Sequence, residues 1–275
     1  MPSLKKVTEK AEQNTVNESV VETTYEVDNE TVFEFLAGYE DENGVVHREF
    51  ELKEMTGRDE EVLRKADAGK NPSKAIRELL ERCILRIGTY NKKNCPGTKW
   101  GDIIKKLIVF DQDYALMQLR KISLGNEITV EHICPNTDCK AKIETILDID
   151  ELEIVEFKGD RLIKFEMSRG YTDKQGEVHK TGTMRLPTGL DREILTPIAK
   201  QNQAKATTSM LTRLCKFDDG TPVTEEVMSD LTVRDRKYLM DLLNEQQFGY
   251  VLKVDVECDS CGETFEGSLN SSNFI

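Results

Sequence analysis

The chain aligns with itself, and that self-similarity restricts its fold more than any single motif does. Shifted by 132 positions, residues 33–89 match residues 165–221 without a gap, and 17 of the 57 aligned positions are identical. The matches include Phe33-Glu34 with Phe165-Glu166, Gly38-Tyr39 with Gly170-Tyr171, Asp41 with Asp173 and Val46-His47 with Val178-His179. They continue through Thr56-Gly57, Asp59, Glu61 and Leu63, against Thr188-Gly189, Asp191, Glu193 and Leu195, to Cys83 against Cys215. Shifted by 124, residues 102–134 match 226–258 at Leu107/Leu231, Val109/Val233, Asp111/Asp235, Tyr114/Tyr238, Gly125/Gly249 and Cys134/Cys258, among others. The smaller shift reflects extra residues in the first copy, within YNKKNCPGTKWG, which carries Cys95 and Trp100. Repetition of this kind is the signature of a duplicated structural unit. The expected organisation is a polar N-terminal arm over 1–28, copy one over 29–150, a linker over 151–160 and copy two over 161–275.

Each copy carries the same succession of local signals. Alternating apolar and polar residues around a Gly turn, TVFEFLAGYEDENGVVHREFEL and RLIKFEMSRGYTDKQGEVHKTGTMRL, predict a β-hairpin. Thr56 and Thr188 stand three residues before Asp59 and Asp191, close to the spacing of a capping box, so a helix starts at each. Ala75, Ile76, Leu79, Leu80, Cys83, Ile84 and Ile87 recur at helical spacing and predict a second helix that ends at Gly88, with AKATTSMLTRLCKFDDG as its counterpart. A third helix is expected from Asp111 to Leu124 and from Asp235 to Phe248, closed by Gly125 and Gly249. A strand, a cysteine-bearing turn and a further strand complete the copy. The fold class predicted is therefore α+β, a tandem duplication whose two cysteine turns meet as in a zinc ribbon.

Those turns are HICPNTDC, with Cys134 and Cys139, and ECDSC, with Cys258 and Cys261. Each lies between β-rich runs, and neither pair alone can complete the four-ligand tetrahedron that zinc prefers. The chain has 7 cysteines, an odd number, and the N-terminal stretch has no apolar core of a signal peptide, so the expectation is a reducing cytosol and metal rather than disulfides. One structural Zn2+ held by Cys134, Cys139, Cys258 and Cys261 is the predicted cofactor. Four thiolates leave no open position, so catalysis by this ion is not expected. The bland alternative is a pair of reduced turns.

His47 and His179 occupy matching positions after the hairpin turns; a local hydrogen bond is the favoured role and metal ligation the alternative. Cys83 and Cys215 sit on an apolar helical stripe and read as small buried hydrophobes. Cys95 is assigned no role. Trp100, in the segment peculiar to copy one, is the candidate partner-binding residue, because Trp is enriched at binding hot spots.

A net charge of −13 repels phosphate backbones, and the cysteine turns carry Asp138, Asp259 and Glu263, so nucleic acid is not the expected partner. No apolar run reaches membrane-spanning length. Motifs for a serine nucleophile, a phosphate-binding loop or a metalloprotease are missing, so no catalytic residue, small-molecule substrate or enzymatic role is predicted. A protein-binding connector leads. A zinc-ribbon nucleic-acid-binding regulator and an unrecognised enzyme are the alternatives.

The succession MTGRDEEVL, AIRELLERCIL and LIVFDQDYALMQLRKISLGNEITVEHICPNTDC resembles the baseplate hub assembly family of contractile-tailed (T-even-type) bacteriophages. Copy one follows the family's order over residues 50–148, including Arg120, Ser123 and Gly125. In copy two Asn244 and Gln247 replace the Arg and Ser, and the first knuckle has four intervening residues where the family has two. The resemblance implies a non-enzymatic component or assembly factor of the tail baseplate that binds other baseplate and tail proteins. It also implies residence in the host cytoplasm during assembly, and in the virion if the protein is retained.

Overall fold

The computed structural model describes residues 31–64, 69–95 and 97–269; the expected arm over 1–28 lies outside them. The first hairpin is β1 (Val32–Glu40) with β2 (Val46–Leu52). Helices α1 (Gly57–Leu63) and α2 (Pro72–Cys83) follow, and β3 (Ile84–Ile87) and β4 (Tyr90–Asn91) extend the sheet in the order β1-β2-β3-β4. Then come α3 (Trp100–Lys106), α4 (Val109–Leu124) and the hairpin of β5 (Glu127–Ile133) with β6 (Lys142–Asp148).

After β7 (Ile154–Val155), β8 (Leu162–Thr172) and β9 (Val178–Arg185) form the second large hairpin. α5 (Gly189–Gln201), α6 (Gln203–Leu214) and β10 (Cys215–Phe217) follow, in a sheet of order β10-β9-β8. α7 (Glu225–Asp230), α8 (Val233–Asn244) and β11 (Gly249–Tyr250) lead to the hairpin of β12 (Lys253–Glu257) with β13 (Thr264–Ser268). The architecture is α+β. Hairpin, two helices, a strand, two helices and a cysteine hairpin occur in that order in each half.

The helix expected to run to Gly88 stops at Cys83 instead. Ile84–Ile87 turns into a strand because β2 needs a partner on its second side: Phe50 pairs with Ile87 and Leu52 with Ile84. In the second half Cys215 takes the place of Ile84, opposite Met184. Cys83 and Cys215 therefore differ in setting, one at a helix end and one in a strand. A residue is slipped within the second helix, whose N-caps are Asn71 and Asn202. Likewise α8 ends at Asn244 rather than Phe248, whose ring packs between Phe110 and Phe157 at centroid distances of 4.9 and 4.8 Å.

The helix starts are those expected. Asp59 accepts hydrogen bonds from the N–H and hydroxyl of Thr56, and Asp191 from those of Thr188. Each carboxylate also anchors the strand before it and the helix after it. Lys53 (2.6 Å) and Arg82 (3.1 Å) reach Asp59. Arg185 (2.6 Å) and Arg213 (2.8 Å) reach Asp191. Burial works to raise the carboxyl of Asp191, but Arg185 and Thr188 outweigh it and hold it down at about 2. A depressed carboxyl contributes stability above its ordinary value near 3.9, and that contribution disappears as pH falls through the folded value. The thermal midpoint should accordingly drop between about pH 4 and pH 2, and Asp191→Asn should flatten that part of the pH profile in calorimetry.

Both large hairpins contain a bulge, between Glu34 and Tyr39 in β1 and between Glu166 and Tyr171 in β8. The exposed N–H groups are collected by an aspartate from the first turn of a helix. Asp111 accepts from Leu36 (2.9 Å), Ala37 (3.1 Å) and Gly38 (2.8 Å). Asp235 accepts from Ser168 (3.0 Å) and Gly170 (3.1 Å), and from the hydroxyls of Ser168 and Thr232. Glycine is needed in each bulge. Gly170 has φ +74, and a Cβ there would lie 2.3 Å from the carbonyl oxygen of His179. Gly170→Ala should cost about 2–3 kcal/mol, readable in chemical denaturation, since left-handed backbone costs an L-residue 1–2 kcal/mol before any clash is relieved.

The halves join as one packed body. Val109 N donates to Pro187 O (3.0 Å) and Gly189 N to Leu107 O (2.9 Å), so the starts of α4 and α5 form a short antiparallel bridge. Arg192 donates to Asp113 and to Gln112 Oε1 (2.7 Å). Arg77 meets Glu193 at 2.8 Å, and Tyr114 stacks on Tyr250 at 5.7 Å. The stretch expected as a linker contains β7, which pairs with β11.

Candidate metal centre

Strand alternation carries the first cysteine turn. Val130 and His132 of β5, and Cys134 just past its end, project inward, while Thr129, Glu131 and Ile133 face solvent, as a period of two requires. The turn is closed by Cys134 N donating to Ala141 O (2.9 Å) and by Cys139 N and Lys140 N donating to Asn136 O (both 3.1 Å). Lys140 holds φ +49 to complete it. In the second turn Cys258 N donates to Glu263 O (2.9 Å), Gly262 N donates to Cys258 O (2.8 Å), and Gly262 holds φ +71. The residue after the second cysteine is left-handed in both turns, and the two extra residues of the first are absorbed in the arc before it.

The two hairpins bring their turns together. Sγ of Cys134 lies 3.6 Å from that of Cys261, and Sγ of Cys139 lies 3.7 Å from that of Cys258. All four sulfurs fall within 4.8 Å of one another. These separations far exceed a disulfide bond of about 2.05 Å. They match a tetrahedron, since a zinc–sulfur distance of about 2.3 Å places sulfurs roughly 3.8 Å apart. The donor set fits a metal ion. Bound there, zinc would be held by two sulfurs from each half and would supply cross-linking without an open coordination position.

Burial and the surrounding dipoles act differently on Cys134, Cys258 and Cys261. Burial works against the Cys258 thiolate, yet the N–H groups of Ser260 and Cys261 and the neighbouring thiols bring it down to about 7. For Cys261 the backbone at Glu263 works downward, but burial and the thiols of Cys134, Cys139 and Cys258 push it up to about 12. Burial raises Cys134, opposed by the N–H of Asn136. A divalent cation bound there would draw off the protons that the thiols still hold.

A feature missed from sequence lies beneath the cysteines. A Cβ at Gly267 would come within 2.6 Å of His132 Cε1 and 2.8 Å of Val256 Cγ2, so the bare backbone of β13 admits the His132 ring between the hairpins. Alternation in β5 signals that His132 points inward, but nothing local reveals the strand it meets. Ile143, Val256, Cys134 and Cys258 make a small apolar cluster of their own around this contact.

The other singled-out residues lie elsewhere. His47 Nε2 is 3.2 Å from Asp41, and His179 Nε2 is 3.4 Å from Asp173, with Nδ1 2.6 Å from Asp219. Asp41 and Asp173 cap their own hairpin turns through the N–H groups of Asn43 and Val45, and of Gln175 and Glu177. The Asp219 contact raises the pKa of His179. Cys83 and Cys215 are buried, and desolvation pushes them up to about 11 and about 12. Cys95 is half-buried and donates to Asn91 O at 2.6 Å.

Trp100, expected to be presented to a partner, is instead packed inward. Its ring is 7% exposed among the residues of the first core, and its indole N–H donates to Glu81 O at 3.1 Å. The physical reason is local: the segment folds into α3, and Trp100 opens that helix on the face shared with Ile103 and Ile104.

A family model described as T4 bacteriophage base plate protein matches residues 30–174, more than half of the chain. The chain belongs to this family. A search of curated proteins and a search of solved structures return no match. The match to the T4 base plate family runs from the start of the first half through the whole of β8. It therefore includes Cys134 and Cys139 but stops before Cys258 and Cys261. Ser123 and Gly125, named above for the resemblance, have structural work in that region. Ser123 Oγ accepts from Met55 N at 2.9 Å, fixing the chain before the Thr56 cap. The counterpart of Met55 is Pro187, which has no N–H to satisfy, and the counterpart of Ser123 is Gln247. Gly125 takes φ +87 at the end of α4. Among the described residues no helix is long and apolar enough to cross a membrane.

Proposed function

We propose that this protein is a non-enzymatic structural or assembly component of a contractile phage tail base plate, bridging other tail proteins through a body made of two equivalent units clamped by a structural Zn2+. The single observation that carries this reading is the convergence of Cys134 and Cys139 from one half with Cys258 and Cys261 from the other, in a chain of the T4 base plate family. Paired details support a duplication: the Asp111 and Asp235 bulge caps, the Asp59 and Asp191 anchors, and the His47 and His179 turn contacts. The units in this reading are 29–150 and 161–275, joined through 151–160. A metal shared between units resists their separation, which suits a part that must transmit load between neighbours. The exposed Asp138, Asp259 and Glu263 around the cysteine turns and the charge of −13 favour protein partners over nucleic acid.

An epitope-tagged copy expressed during infection tests the reading. The protein should move from the free cytoplasmic pool into fast-sedimenting tail or base plate particles on a gradient. Its absence from every tail intermediate as well as from finished particles would reject the base plate role.

A further inference from the structure

The bridge between the halves is one-sided, and this leaves each half with an unused face. The start of α4 is hydrogen-bonded to the start of α5, but among the described residues the starts of their counterparts, α8 and α1, share no backbone hydrogen bond. Val109 at the start of α4 is half-buried, whereas its counterpart Val233 is 84% exposed. Gly189 is buried, and a Cβ there would lie 1.9 Å from Gln112 Nε2; its counterpart Gly57 is exposed, and a Cβ there would meet nothing within 4 Å. The backbone pairs Val109 N to Pro187 O and Gly189 N to Leu107 O join the halves. The corresponding groups, Val233 N and Gly57 N, have no such partner among the described residues.

Charge at the unused faces is complementary, with its sign exchanged relative to the internal contact. Inside the chain Asp113 of α4 meets Arg192 of α5. At the counterpart positions stand Lys237 on α8 and Glu60 on α1. Around them lie exposed Arg234 on the α8 side, with Asp230 just before the helix, and exposed Glu54 and Glu61 on the α1 side, with Arg58 between them. Lys237 and Glu60 currently make only surface pairs with Asp241 and Arg64 on their own helices, which are worth little and are readily exchanged.

We propose that the start of α8 in one molecule docks on the start of α1 in a second copy of this chain, repeating between molecules the contact that joins the two halves within one. The inference rests on the reading of the halves as equivalent units. Such a contact is heterologous: each molecule keeps one free face of each kind, so the products are closed rings or open chains, according to the rotation between units. The polar character of the two faces makes it reversible and salt-sensitive.

Sedimentation velocity on the full chain with its metal intact tests this. At low salt the wild type should form oligomers as concentration rises to about 200 µM and dissociate in high salt. Lys237→Glu and Glu60→Lys should each weaken association roughly tenfold or more, because like charges then face each other. Both substitutions in one chain, or the two single variants mixed, should restore it. Circular dichroism would confirm folding, which exposed changes at these positions should leave intact. A wild type that stays monomeric throughout, or an assembly indifferent to both substitutions, overturns the proposal. A monomer that still enters tail particles overturns this contact alone, whereas a self-associating protein absent from all particles rejects the base plate role alone.

Discussion

Asp111→Ala is expected to lower unfolding free energy by about 3–5 kcal/mol, among the largest effects of any single substitution outside the apolar cores. The carboxylate is fully buried and takes three backbone hydrogen bonds, from Leu36, Ala37 and Gly38. Its removal strands three donors in a bulge that no neighbouring strand can reach, at roughly 1–3 kcal/mol for each donor left dry. Burial raises the Asp111 pKa, so the charge is costly to keep, yet the three donors make an empty site worse. Asp111→Asn, which retains one acceptor oxygen, should lose less. Urea denaturation measures the difference, and the midpoint should move with little change in slope. A loss under about 1 kcal/mol would show that the bulge relaxes to water and that the aspartate is not its keystone.

Removal of the metal is expected to act on a different part of the molecule. The protein purified without chelator should contain one zinc per chain by elemental analysis, and Cys258→Ser should abolish it. Structural zinc contributes apparent free energies on the order of 10 kcal/mol in small zinc domains. The apolar cluster at this junction is small: four buried residues, two of them cysteines. With the ion gone, amides of β5, β6, β12 and β13 should lose hydrogen-exchange protection by several orders of magnitude. The amides of β2, α2 and β9 should change little, because they belong to the two large cores. Uptake of the ion should release protons, and affinity should fall as pH drops, since each thiol must ionise to bind. Full protection in metal-free protein would mean that packing alone holds the hairpins and that the cysteines are bystanders.

Local rules account for what was legible beforehand. The hairpin turns, the Thr56 and Thr188 helix starts and the cysteine turns all depend on residues within a few positions of one another, and each appeared where expected. Residues whose partners are distant in sequence are less legible from local pattern. Ile84 and Ile87 fit a helical stripe as well as a strand, and only the open side of β2 decides between them. Trp100 looked like a surface anchor because its segment is peculiar to the first half; the core formed by α2 and α3 claims the ring.

By itself the sequence determined that the chain carries the same run of local signals twice, and that four cysteines stand in two short turns suited to metal. Its spacing of apolar residues and caps is enough for this, since helix starts and strand alternation are set over three to seven residues. Only the tertiary structure decided that Cys134 lies against Cys261 and Cys139 against Cys258, that Asp111 and Asp235 fill bulges more than sixty residues away, and that Val233 and Gly57 are left uncovered. Those outcomes depend on how the two halves turn toward each other, and that orientation comes from packing summed over the whole interface rather than from any segment of chain.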